Sequence, residues 1–143
     1  MDFLIGCFMS KLIYLDTNIF LDYALGTDDI RPLDEFAKQI FIRAINCEFK
    51  ILISDLLIYE LSKYLRDYKG LFKPFQIKDK LEYSKEKYSD KINAKKIKLH
   101  YPDNVHLYLA QKFKCDFFVT NDKEILAYRA KIKIVSSQFF QFE

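Results

Sequence analysis

A three-layer α/β/α fold, with helices on both faces of a central parallel sheet of four or five strands, is predicted by two observations. Short apolar runs alternate with stretches of helical period, and turn residues are scarce. Half of the 143 residues are apolar, yet only three Gly and three Pro occur. One buried core with short connections suits that composition, so residues 1–143 read as a single domain. A β-sandwich would need more turn residues.

The elements follow in order. Lys11–Leu15 reads as a buried strand, cut off by Asp16-Thr17-Asn18. Ile19–Leu25 reads as a helix that Gly26 ends. Leu33, Phe36, Ala37, Ile40, Ala44 and Ile45 recur at three and four residues, which predicts an amphipathic helix. Ile51–Ile53 is a second strand. Ser54 or Asp55 caps the next helix, which carries Leu57, Glu60, Leu61, Tyr64 and Leu65.

Between Lys73 and Lys98 nine lysines face four acids, Asp79, Glu82, Glu86 and Asp90. The helical spacing of Ile77, Leu81, Tyr88 and Ile92 predicts one charged helix there, serving either as a solvated face or as a strip that attracts phosphates. Asp103–Phe113 is then helical, with Val105, Leu109, Ala110 and Phe113 inward. Phe117–Val119 forms a strand, Glu124–Ala130 a helix and Ile132–Val135 a last strand.

The first ten residues, MDFLIGCFMS, are apolar but too short to span a membrane, and they lack a basic flank. Residues 1–10 are set apart as a candidate N-terminal extension of a soluble, cytoplasmic protein with no membrane partner. Cys7, Cys47 and Cys115 have neither zinc-site nor redox spacing, and free thiols in a reducing compartment are expected. The formal net charge of +3 is compatible with nucleic acid without demanding it.

In a parallel sheet the carboxyl ends of strands and the amino ends of helices share one edge, where ligands bind. Asp16 follows the first strand, Asp122 follows Phe117–Val119, and Asp103 opens the helix before that strand. Glu60 lies about a turn and a half into its helix. Taken singly, each acid is explained by capping, a turn or a solvated surface. Together they converge. Two unit charges about 4 Å apart repel by about 4 kcal/mol at an effective dielectric near 20, and a helix amino end offsets only ~0.3–1 kcal/mol. A divalent cation relieves the repulsion with every acid ionised, and an all-oxygen set suits Mg²⁺ or Mn²⁺ rather than zinc.

At this point the residues resemble the PIN domain family over nearly the whole chain. LIYLDTNIFLDY resembles the family's opening strand and DTN motif, with Asp16 as the first metal-site acid and Thr17 and Asn18 as supporting hydrogen-bonding residues. ISDLLIYELSKYL is similar to the second motif, whose acid falls on Glu60. YPDNVHLYLAQKFKCDFFVTND is similar to the third and fourth motifs, with acids at Asp103 and Asp122 and with Thr120 in support. IKIVSSQFF resembles the family's last strand and short tail.

The resemblance implies a Mg²⁺- or Mn²⁺-dependent endoribonuclease. Asp16, Asp103 and Asp122 would hold one or two cations, with Glu60 binding directly or through water. Hydrolysis would leave a 5′-phosphate and a 3′-hydroxyl. It further implies an RNA substrate, a homodimer and, for the VapC-type members, an antitoxin protein as partner. Three features depart from the family pattern. Residues precede Met9, Asn104 stands where a small residue is frequent, and the lysine-rich insert aligns with no motif.

An acidic pocket repels RNA, so positive charge must flank it; Lys11, Lys123, Arg129 and the lysine strip are candidates. His106, three residues after Asp103, is expected to bond to backbone or water, the alternative being that it orients a carboxylate or touches substrate. His100 carries no functional expectation, and Asp22 and Asp55 are explained by a helix position and a cap. Two other classes compete. A non-catalytic PIN-like module would bind RNA or protein without cleaving, which the presence of all four acids opposes. A phosphatase or receiver domain would want a DxD pattern, but Asn18 stands at the third position.

Overall fold

The structure is a computed structural model that describes residues 11–27, 29–46 and 48–141. Among these residues five strands form one sheet: β1 (Lys11–Leu15), β2 (Phe49–Ile53), β3 (Leu81–Tyr83), β4 (Phe117–Val119) and β5 (Lys133–Val135). Their order is β3-β2-β1-β4-β5, and every neighbouring pair is parallel. Seven α-helices join them among the described residues: α1 (Thr17–Leu25), α2 (Leu33–Ile45), α3 (Asp55–Tyr64), α4 (Tyr68–Ile77), α5 (Tyr88–Asn93), α6 (Asp103–Lys112) and α7 (Lys123–Leu126). Short 3₁₀ turns cover Ala94–Lys96 and Ser137–Phe140. The expected three layers are present, with five strands. The candidate extension 1–10, Cys7 and Cys47 lie outside the described residues, and Cys115 is buried.

Strand alternation sorts side chains between two cores. Ile13, Leu15, Ile51, Ile53 and Val119 pack with α1, α2, α3 and α4. Tyr14, Leu52 and Phe118 pack on the other face with α6 and Ile125 of α7. The local signals for these elements act as read. Gly26 closes α1 at φ +81°, a conformation that only glycine adopts without strain, and its N–H reaches the Asp22 carbonyl at 3.0 Å. Ser54, rather than Asp55, caps α3, accepting from the Leu57 N–H at 3.1 Å.

Two expected helices are corrected. The lysine-rich segment is not one helix. It holds the end of α4, strand β3, α5 and a 3₁₀ turn. Asp79 at φ +54° turns the chain back, the Ile51 N–H takes the Lys80 carbonyl at 2.9 Å, and Leu81 pairs with Ile51. The open edge of β2 thereby finds a partner, and that pairing overrides the helical spacing. Of the four apolar residues behind the expectation only Leu81 is buried; Ile77, Tyr88 and Ile92 are exposed. The segment's acids serve the fold: Asp90 is buried, pairs with Lys112 of α6 at 2.7 Å and accepts from the Lys87 N–H, while Glu86 accepts from the Leu56 N–H at the start of α3. The second correction concerns α7, which ends at Leu126 rather than Ala130. The Tyr128 N–H closes a turn on the Ile125 carbonyl at 3.0 Å, and Tyr128 and Ala130 pack against the α6-side core on the way to β5.

If β3 is an edge strand, Leu81→Ala should cost about 2–3 kcal/mol in denaturant unfolding. Ile77→Ala and Ile92→Ala should each cost no more than about 0.5 kcal/mol, as exposed positions do. Equal losses at the three positions would return the segment to a single amphipathic helix.

Candidate active site

The strand order reverses direction beside β1: the chain leaves it for β2 on one side and returns to β4 on the other. Ligand sites of open parallel sheets form at the carboxyl end of such a switch point. Asp16 lies there, directly after β1, and its own N–H bonds the Val119 carbonyl of β4 at 2.9 Å. Its carboxylate is buried and doubly held. Oδ1 accepts from the Thr17 N–H and Oδ2 from the Thr120 hydroxyl, both at 2.8 Å.

Polar residues then link Asp16 to the other acids. Thr120 also accepts from the Asp122 N–H at 3.1 Å, so one hydroxyl joins Asp16 to the Asp122 backbone. Thr17 donates its hydroxyl to Glu60 Oε1 at 2.7 Å. His106, one turn after Asp103 on α6, bonds the same Glu60 oxygen through Nε2. Asp122 is the N-cap of α7, accepting from the Glu124 N–H at 2.8 Å and the Ile125 N–H at 3.2 Å.

The electrostatics register the convergence. Asp103 is pushed up to about 6, first by burial, then by the charges of Asp16 and Asp122, with Glu60 adding and His106 opposing. Asp16 is also raised, by burial above all, against the lowering effects of His106, Thr120 and Thr17. Glu60 goes the other way. Burial would raise it, but the bonds from His106 and Thr17 outweigh burial and hold it below the ordinary carboxylate range. The four acids thus feel one another across separate elements.

As the side chains stand, no group of three or more His, Cys, Asp or Glu among the described residues is drawn together into a ready metal cage. Glu60 is turned to Thr17 and His106, and Asp122 is engaged with the first turn of α7. The donor chemistry nonetheless fits a hard divalent cation: the candidate ligands are all carboxylates, and beside the burial that raises Asp103 the charges of Asp16, Asp122 and Glu60 add to it while His106 opposes them.

Of the supporting residues expected, Thr17 and Thr120 take part, while Asn18 is exposed on the first turn of α1. His106 departs from expectation: its bonds go to side chains, Tyr14 as well as Glu60, rather than to backbone or water. Its position three residues after Asp103 was the signal, and its buried partners were not readable. From the sequence Tyr14 reads only as a strand residue. Lys11 stands at the amino end of β1, its ammonium 5.3 Å from the Phe117 ring centre, on the edge away from the acids. Lys63, not singled out from the sequence, acts electrostatically on Glu60.

The sequence profile of the PIN domain matches residues 13–124, a span that contains all four acids. The chain belongs to the PIN domain family. Six chains of solved structures match it. One of them, in the crystal structure of VapBC2 from Rickettsia felis bound to a DNA fragment from their promoter, matches with a TM-score of 0.56 and 17% identity, covering 87% of this chain and 98% of that one. At that identity the likeness concerns the PIN fold. No curated protein matches the chain.

An aspartate near 6 in the fold, against about 3.9 unfolded, favours the fold in its protonated form. That contribution is full below about pH 4 and is lost as pH rises through about 6. Asp103→Asn should therefore be more stable than wild type at about pH 7.5 in metal-free buffer. The gain is about 1 kcal/mol, allowing for the partial exposure of Asp103, and it should vanish near pH 4. Thermal melts across that range check it; identical melting temperatures throughout would remove the charge coupling.

Proposed function

We propose that this PIN domain is a divalent-cation-dependent endoribonuclease whose catalytic acids are Asp16, Glu60, Asp103 and Asp122. The observation that carries the reading is the sharing of polar partners: Thr120 between Asp16 and Asp122, Thr17 between Asp16 and Glu60. Acids joined in this way act on one ligand rather than as separate caps.

Asp16, Asp103 and Asp122 would hold Mg²⁺ or Mn²⁺, and Glu60 would bind it directly or through water. The cation supplies Lewis acidity, lowering the pKa of a water beside the phosphodiester and offsetting charge on the leaving oxygen. Thr120 and the Thr17 N–H keep the Asp16 carboxylate oriented by taking one lone pair from each of its oxygens. Lys63 and Lys123, next in space or sequence to Glu60 and Asp122, offer positive charge to the RNA phosphates.

The PIN family match and the likeness to a chain of the VapBC2 complex support a VapC-type toxin inhibited by an antitoxin protein, and the family resemblance further suggests a cytoplasmic homodimer. No helix among the described residues is long and apolar enough to cross a membrane.

The test uses single-stranded and stem-loop RNAs with Mn²⁺ or with EDTA, comparing wild type with Asp16→Asn and Asp122→Asn. Internal cleavage is expected only for wild type with Mn²⁺, and each variant should lose at least about a hundredfold. RNA retained but uncut by wild type in Mn²⁺ would assign a non-catalytic binding module. Equal cutting by Asp16→Asn would remove the acid cluster from the chemistry.

A further inference from the structure

His106 is buried on α6, and both of its ring nitrogens are engaged. The donors order themselves in one direction. The Leu57 N–H donates to Ser54 Oγ, so the Ser54 hydroxyl is free to donate to the Tyr14 oxygen at 2.7 Å. The Tyr14 hydroxyl then donates to His106 Nδ1, which leaves Nε2 to carry a proton toward the Glu60 carboxylate. Each hydrogen is used once, and the chain runs from the cap of α3 through β1 and α6 back to α3.

Glu60 Oε1 is the end of that chain and also accepts from Thr17. Among the described residues, no protein donor reaches Oε2. We propose that His106, held by Tyr14, is a positioning residue that fastens Glu60 by one oxygen and reserves Oε2 as its single donor to the divalent cation or to a water on it. This rests on the cation reading above. A glutamate has several rotors, and fixing them beforehand removes that ordering from the binding step. A ring that served only to fill the core would not need both nitrogens spent on this path; Phe118 stacks on Tyr14 and fills the same layer with no polar atom.

The test is isothermal titration of the full chain with Mn²⁺. It compares wild type, Glu60→Gln, His106→Leu, His106→Gln and the double variant Glu60→Gln/His106→Leu, each first checked for folding by circular dichroism. His106→Leu should weaken Mn²⁺ binding about tenfold, the scale of lost outer-shell support. His106→Gln sets an amide N–H near the Nε2 position and should stay within about threefold of wild type. The double variant should bind no more weakly than Glu60→Gln, because His106 acts through Glu60. Should His106→Leu not fold, Tyr14→Phe, which removes only the hydroxyl that keys the ring, carries the same expectation. Wild-type affinity in His106→Leu or Tyr14→Phe, or losses that simply add in the double variant, would overturn the inference while leaving the cation reading in place. A wild type that binds no Mn²⁺ would overturn both.

Discussion

The constraint on which the site depends is the burial of the Asp16 carboxylate at the point where the sheet changes direction. An ionised carboxylate away from water is costly unless its oxygens are hydrogen-bonded. Here the Thr17 N–H and the Thr120 hydroxyl meet that need, one on each oxygen. Because Thr17 opens α1 and Thr120 follows β4, satisfying Asp16 also joins β1, α1 and β4 at one spot. The same two threonines extend the connection to Glu60 and to the backbone of Asp122. Asp16, Glu60 and the Asp122 backbone are therefore linked by the groups that stabilise the first of them.

Asp103 is raised first by burial and then by the charges of Asp16 and Asp122, so holding carboxylates near one another leaves repulsion in the folded state. Perturbed carboxylates of this kind cluster at functional sites. Glu60 escapes the upward shift because His106 and Thr17 stabilise its charged form. Two neighbouring acids thus differ in protonation behaviour through their hydrogen-bond partners, although both are partly buried.

Away from the site, the lysine-rich insert changes meaning once folded. Its lysines suggest a phosphate strip, yet its acids and apolar residues explain its shape: Leu81 covers the sheet edge, Asp90 ties α5 to α6, and Glu86 accepts from the Leu56 N–H in the first turn of α3. The insert is first an edge of the fold. Whatever positive charge meets a ligand at the acids has to come from their own edge of the sheet, which sets Lys11 aside and brings Lys63 forward.

Much of this protein was legible locally. Alternating apolar runs, the Gly26 stop and the Ser54 cap act over a few residues, so period and capping rules locate β1, α1, α2, β2, α3, α6 and β4 from sequence alone. The order of the four acids relative to those elements was equally readable, because strand ends and helix starts share an edge in any parallel sheet. What needed the tertiary structure was pairing between distant residues. That β3 exists depends on the unfilled edge of β2. That His106 bonds Tyr14 and Glu60 depends on which face of β1 Tyr14 occupies and on how α6 lies against it. Hydrogen bonds between residues 46 and 92 positions apart leave no trace in local spacing, so only packing decides them.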